Sequence, residues 1–214
     1  MLVRGLVLTL MLTTVVGSGL AAAGEASPAL IVVDIQGFYF EGGAAPLEGS
    51  VPAAEQAARV LARFRALGWP VVHIQHLPPG AVGPGQDIEP PAYRIRSEVA
   101  PVAGEPVLGK RHANAFRETA LEATLRELGV TRLVLVGMQT HMCVEAAARA
   151  AADLGFEVMV VHDACATRDL EFKGAVIPAA QVHGAALAAL DRTYARVVGA
   201  DELLAELPAP KSTP

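Results

Sequence analysis

The sequence predicts an α/β domain built on a parallel sheet with helices on both faces. Three observations carry that prediction. Short apolar runs alternate with longer segments of helical periodicity along most of the chain, the pattern of repeated β-α units. Hydrophobic residues make up 52% of the 214 residues, with Ala, Val, Leu and Gly dominant, which suits a packed core and excludes a disordered chain. Five polar or reactive residues, Asp34, His76, Lys110, Cys143 and Asp163, each follow an apolar run. Right-handed crossovers gather such positions at the carboxyl edge of the sheet.

Taken in order, Ala29 to Asp34 is a short apolar strand that ends in an acid. Val51 to Leu67 has helical periodicity, with Pro52 near its start and Gly68 just past its end. Pro70 to Gln75 is the second strand. Residues 77–106 are rich in Pro and Gly and read as a long loop placed to fold over a site. Glu105 to Leu108 is a short third strand. Arg117 to Leu128 is helical and stops at Gly129. Leu133 to Val136 is the fourth strand, Cys143 to Leu154 the next helix, and Glu157 to Val161 the fifth strand. Thr167, Arg168, Asp169, Glu171 and Lys173 form a polar loop. Pro178 to Leu190 is a helix and Ala195 to Val198 a last strand.

Residues 1–23 read as a cleaved secretory signal. Arg4 supplies a short positive region, Leu6 to Leu20 is apolar, and Ala21–Ala22–Ala23 fits a small-residue cleavage site. A membrane anchor and a misplaced start codon are the competing readings; the apolar run is short for a span of about 20 residues. The expectation is an exported protein, periplasmic or secreted, with no membrane contact in its mature form. Residues 24–207 form a single domain and 208–214 a loose tail. Removing Arg4 takes the formal charge from −5 to about −6, and no basic patch marks a nucleic-acid partner.

There are two cysteines. Cys143 follows a strand that breaks at Gly137 and stands at the start of an Ala-rich helix. A helix N-terminus favours thiolate, the nucleophilic form. A small buried hydrophobe is the ordinary fate of a free cysteine. A bridge to Cys165 is the other alternative in an oxidising compartment. Asp34 is the candidate base, against a strand-end acid that only caps a turn. Lys110 is the candidate cation, with Arg111 beside it as a competitor.

Four segments in order carry a resemblance: Ile31–Val32–Val33–Asp34–Ile35–Gln36, Gly109–Lys110–Arg111–His112–Ala113–Asn114–Ala115–Phe116, Gly137–Met138–Gln139–Thr140–His141–Met142–Cys143–Val144, and Val161–His162–Asp163–Ala164–Cys165–Ala166–Thr167–Arg168–Asp169. Pro178–Ala179–Ala180–Gln181–Val182–His183 resembles the usual start of the last helix. The chain resembles the isochorismatase-like cysteine hydrolases, the superfamily that includes nicotinamidases, over roughly residues 29–200.

The resemblance implies a Rossmann-type, three-layer α/β/α domain with a six-stranded parallel sheet of order 3-2-1-4-5-6. It implies a triad of Asp34, Lys110 and Cys143, a cis peptide at Met138–Gln139, and a homo-oligomer. It also implies a small amide substrate. Asp34 would take the Cys143 proton, and the sulfur would attack the carbonyl. Backbone N–H groups of Gln139 and Cys143 would hold the oxyanion, and water would then hydrolyse the thioester, with Asp34 again as base. Gln36, Phe40, His76, His112, Phe116 and Thr140 are candidate pocket residues. His73 and His76 invite a zinc reading, but the acid of the nicotinamidase Asp-x-His motif is missing, so no metal and no cofactor is expected. A vinyl-ether-cleaving hydrolase and a non-catalytic binding protein on the same scaffold are the alternatives.

Overall fold

The computed structural model describes residues 27–85 and 87–209; the expected leader at 1–23 and most of the expected tail lie outside them. The elements are β1 (Ala29–Val33), α1 (Ser50–Leu67), β2 (Val71–His76), β3 (Val107–Lys110), α2 (Leu121–Glu127), β4 (Arg132–Met138), α3 (Glu145–Asp153), β5 (Glu157–Ala166), β6 (Leu170–Phe172), β7 (Ala175–Ile177), α4 (Ala179–Leu190), β8 (Arg196–Val198) and α5 (Ala200–Glu206). The main sheet has six parallel strands in the order β3-β2-β1-β4-β5-β8. That is the expected 3-2-1-4-5-6 order, with β8 as the sixth strand, because the antiparallel hairpin β6–β7 stands outside the sheet.

Alternation along each strand sorts the core into two layers. Leu30, Val32, Val134, Val136 and Met138 meet Ala53, Ala57, Val60, Leu61 and Phe64 of α1, and Leu203 of α5. On the other face Ile31, Val33, Ile74, Leu133 and Leu135 meet Leu121 and Leu125 of α2, Ala147, Ala148 and Ala151 of α3, and Leu190 of α4. Central strands covered on both faces must be apolar at every position, which is why β1 is buried throughout. Helix α1 ends at Gly68, whose φ of 67° lets its N–H close on the Arg65 and Phe64 carbonyls.

Several elements differ from the sequence reading. The helix expected from Arg117 begins at Leu121, because Glu118 adopts φ 57° and Thr119 turns the chain with its hydroxyl. The helix expected from Cys143 begins at Glu145, after a π-helical turn over Thr140–Val144. Strand β5 runs on to Ala166 through a register shift against β4, so Cys165 lies within the strand rather than after it. The polar loop contains the β6–β7 hairpin, and α5 was not anticipated.

The 77–106 segment carries short 3-10 turns at Pro91–Tyr93 and Ser97–Val99 and is stitched to the sheet by two buried glutamines. Gln36 donates to the carbonyls of His76 and Tyr93 and accepts the His76 N–H. Gln75 donates to the carbonyls of Gly85 and Tyr93 and accepts the Gly85 N–H. At its far end Glu105 takes two hydrogen bonds from Arg65 and one contact from His73. Burial works against the Glu105 charge, yet Arg65, the Val102 N–H and His73 outweigh it and hold the carboxyl down at about 2. A carboxyl depressed on folding stabilises above its unfolded range and loses that contribution as pH falls toward its folded value. Glu105→Gln should therefore flatten the loss of melting temperature between about pH 4.5 and pH 2, measured by thermal melts across that window.

Gly137 is fixed by a close approach. Its φ is 133°, and a Cβ there would stand 1.9 Å from the Val33 carbonyl oxygen, which belongs to the backbone and cannot swing aside. Gly137→Ala should destabilise by roughly 3 kcal/mol and lower the melting temperature by about 6–12 °C. An unchanged melt would show that β1 and β4 can part at this point without cost.

Candidate active site

The site grows from three strand ends. β1 ends at Val33, and Asp34 follows with φ 49°, a left-handed conformation that aspartate tolerates better than most side chains. β3 ends at Lys110, in register with His76 at the end of β2. β4 ends at Met138, the Met138–Gln139 peptide is cis, and the π-helical turn then carries Cys143. The Gln139 carbonyl accepts the N–H groups of Met142 (3.0 Å) and Val144 (3.2 Å), which flank that of Cys143.

These three side chains meet. Lys110 Nζ lies 2.6 Å from Asp34 Oδ2 and 3.1 Å from Cys143 Sγ, and it donates to the His112 carbonyl at 3.0 Å. The Asp34 and Lys110 side chains are completely buried, and Cys143 is 5% exposed. Neither Asp34 carboxylate oxygen has a hydrogen-bond partner among the described residues, so the 2.6 Å contact with Lys110 is an ion pair. Burial opposes the Lys110 charge, but Asp34 and Cys143 together outweigh it and its pKa is raised. Lys110 is thus a buried ammonium held by its neighbours.

The thiol departs from the sequence expectation. Burial first, then the Asp34 charge, push Cys143 up to about 12, although Lys110 pulls the other way. The π-helical turn sets the sulfur in the interior instead of at an exposed helix start, so desolvation works against the thiolate. Cys143 and Cys165 are both free. Cys165 lines a separate cavity of about 240 Å³ with Glu48, Thr167 and His183.

The remaining candidates scatter. His76 reaches the site, its Nδ1 3.5 Å from Lys110 Nζ. Gln36 is engaged with backbone groups, as above. Phe40 is core, with the Arg96 guanidinium 4.4 Å above its ring. The His112 ring pairs with Glu118 at 2.9 Å, so only its carbonyl serves the site. Phe116 packs near Phe156, and Thr140 meets His183 at 2.9 Å. Asp163 accepts the N–H of Ala200 at the start of α5. His73 and His76 stand on opposite faces of β2, three residues apart in a strand of period two, so they cannot share one ion.

Sequence reading missed Tyr39. It sits in a short 3-10 turn at Gly37–Tyr39, is 7% exposed, and packs against Phe38. Burial raises its pKa, and the charges of Asp34 and Cys143 add to this, so its hydroxyl senses the site. The run Phe38–Tyr39–Phe40 was the available signal, but only the 3-10 turn decides which ring turns inward. Arg168, set down as a polar loop residue, acts electrostatically on both Tyr39 and His141.

Residues 28–201 match the model of the isochorismatase domain. The chain belongs to the isochorismatase family. It is 40% identical over 169 residues to the uncharacterized isochorismatase family protein YddQ of Bacillus subtilis, covering 79% of this chain and 94% of that protein. It is 33% identical over 194 residues to the maleamate amidohydrolase of Pseudomonas putida, covering 84% and 86%. A crystal structure from Oleispira antarctica, assigned to the isochorismatase hydrolases, superposes with a TM-score of 0.79 at 45% identity, over 86% of this chain and all of that one. Membership of the isochorismatase family makes the chain a hydrolase of small substrates.

The charge balance has a measurable consequence. Asp34 raises the Cys143 pKa and Lys110 lowers it. Asp34→Asn therefore removes an opposing charge and leaves the attracting one, so more thiolate forms at a given pH. Iodoacetamide should alkylate Cys143 faster in this variant than in the wild type, by about tenfold for each pKa unit gained. Equal or slower alkylation would mean that Asp34 does not face the thiol.

Proposed function

We propose that this chain is a cysteine hydrolase that cleaves the carbon–nitrogen bond of a small amide through a thioester. The observation that carries the proposal is the buried ammonium of Lys110 in contact with both Asp34 and Cys143. A pair of charges of this kind is retained in an interior at a large desolvation cost, which points to use rather than packing.

The chemistry follows from the charges. Asp34 accepts the Cys143 proton as the sulfur attacks the amide carbonyl, so thiolate need form only as it reacts. Lys110 stabilises the developing negative charge on sulfur. The N–H groups of Gln139 and Cys143 are offered to the tetrahedral oxyanion. Asp34 returns its proton to the departing amine, and water then hydrolyses the thioester. The vinyl-ether reading has no use for a thiol held against a cation. The binding-protein reading leaves the buried triad without a purpose.

Arg168 narrows the substrate. Among the described residues it has no hydrogen-bond or ion-pair partner, while its charge reaches Tyr39 beside the triad. An unpaired guanidinium suits a carboxylate, and a maleamate amidohydrolase is among the relatives. The reading is an amide that also carries an acid group. Export and a homo-oligomer belong to the same proposal; N-terminal sequencing of protein recovered outside the cytoplasm and light scattering check them.

The deciding assay is ammonia release from a panel of small amides with and without a carboxylate. Cys143→Ala should abolish release by roughly 10³-fold or more. Arg168→Met should raise KM for the acidic amides by about tenfold with kcat little changed, the pattern of a lost binding contact. Release that survives in Cys143→Ala would remove the thioester mechanism.

A further inference from the structure

The β6–β7 hairpin is exposed at every residue from Glu171 to Val176. Phe172 and Val176 each keep 65% of their surface open. An uncovered two-stranded hairpin is marginally stable in water, so this one gains from a further strand.

Its turn fixes which backbone groups are spare. Lys173 and Gly174 have φ of 51° and 79°, the positive pair of a two-residue type I′ loop. Phe172 and Ala175, which flank that loop, are then a hydrogen-bonded pair. Glu171 and Val176 come next as a non-hydrogen-bonded pair, and Leu170 and Ile177 are hydrogen-bonded again. The N–H and C=O of Glu171 therefore point outward from β6, and those of Val176 outward from β7. Neither residue makes a backbone hydrogen bond to any other part of the chain among the described residues.

The two edges differ in chemistry. β6 carries Glu171 at its centre, and a second copy paired there would set two carboxylates directly opposite each other, which is destabilising. β7 is Ala175–Val176–Ile177, an apolar edge with no charge to block pairing.

We infer that β7 is the contact between two copies of this chain, paired antiparallel about a two-fold axis at Val176. The inference names a surface for the homo-oligomer proposed above and is independent of the chemistry. The two Val176 residues exchange N–H···O=C bonds, which uses the spare groups on both sides. Ala175 then stands opposite Ile177 of the partner subunit. Because Phe172 pairs with Ala175 and Leu170 with Ile177, one apolar row crosses all four strands, and the symmetry supplies a second. Carried on, the same register brings Lys173 beside Ala179 of the partner subunit. The Asp169 carboxylate accepts the Ala179 N–H at 2.7 Å, so the Lys173 ammonium of each copy meets the Asp169 carboxylate of the other. Within one chain Lys173 lies 5.5 Å from the Phe172 ring, and neither charge has an ion-pair partner among the described residues. The charges of the two copies are thus complementary.

The test reads mass and cross-linking in solution. Val176→Pro should halve the mass found by light scattering, because proline removes the outward N–H and no hydrogen bond inside the hairpin. Glu171→Pro makes the same change on the other edge and should leave the mass as it is. Matching circular dichroism for the two variants excludes misfolding as the cause. Lys173→Glu should raise the dissociation constant about fivefold. Under mild oxidation Val176→Cys should give a disulfide-linked dimer about tenfold faster than Glu171→Cys, since such a facing pair lies within disulfide reach. An unchanged mass for Val176→Pro, or equal cross-linking of the two cysteine variants, overturns the β7 contact and leaves the homo-oligomer to another surface. A monomeric wild type overturns the contact and the homo-oligomer together and leaves the hydrolase reading standing.

Discussion

Lys110 holds a positive charge where water does not reach it, and the candidate site is arranged around that charge. A buried ammonium survives only if its hydrogens find acceptors and its charge finds a counter-charge. Asp34 supplies the counter-charge at 2.6 Å, and Cys143 and the His112 carbonyl complete the set. Removing either charged partner would strand the other in a low-dielectric interior, a loss of about 3–5 kcal/mol. Stability and chemistry therefore depend on the same pair.

The sheet order makes that pair possible. β1 lies between β2 and β4, so Asp34 at the end of β1 has Lys110, next to the end of β2, on one flank and the Cys143 turn on the other. Gly137 lets β4 come against the Val33 carbonyl at the level where Asp34 begins. The π-helical turn then brings Cys143 inward, with Gln139 taking the N–H groups on either side of it. The two glutamines that bind the 77–106 segment stand at the same sheet edge, Gln36 just after β1 and Gln75 within β2.

The interior position of the sulfur sets its chemistry. Desolvation and Asp34 together raise the Cys143 pKa, and Lys110 limits but does not reverse their effect. In the proposed mechanism such a thiol gains from a neighbouring base, because the proton leaves as the carbon–sulfur bond forms. The same burial protects the thiol from oxidants, which act on accessible thiolate.

Much of the fold was legible in the chain. Continuous apolar runs between helical segments required a doubly covered parallel sheet, because only strands buried on both faces lose their polar alternation. Asp34, Lys110 and Cys143 were legible as positions at strand ends, since topology alone sends those ends to one edge. What the sequence could not decide depended on contacts distant along the chain. Glu118 turned the start of α2 into an irregular approach, and a register shift against β4 carried β5 past the expected end. Tyr39 and Phe40 are neighbours of similar kind, and only the 3-10 turn at Gly37 turns the former toward the site. Gln36, Thr140 and His112 were legible as polar residues near strand ends, but their partners, the His76 and Tyr93 backbone, His183 and Glu118, were not. The state of the Cys143 thiol was decided in the same way. A helix start lowers a thiol pKa only where the helix end dominates, and here desolvation and the facing carboxylate, both tertiary, are larger.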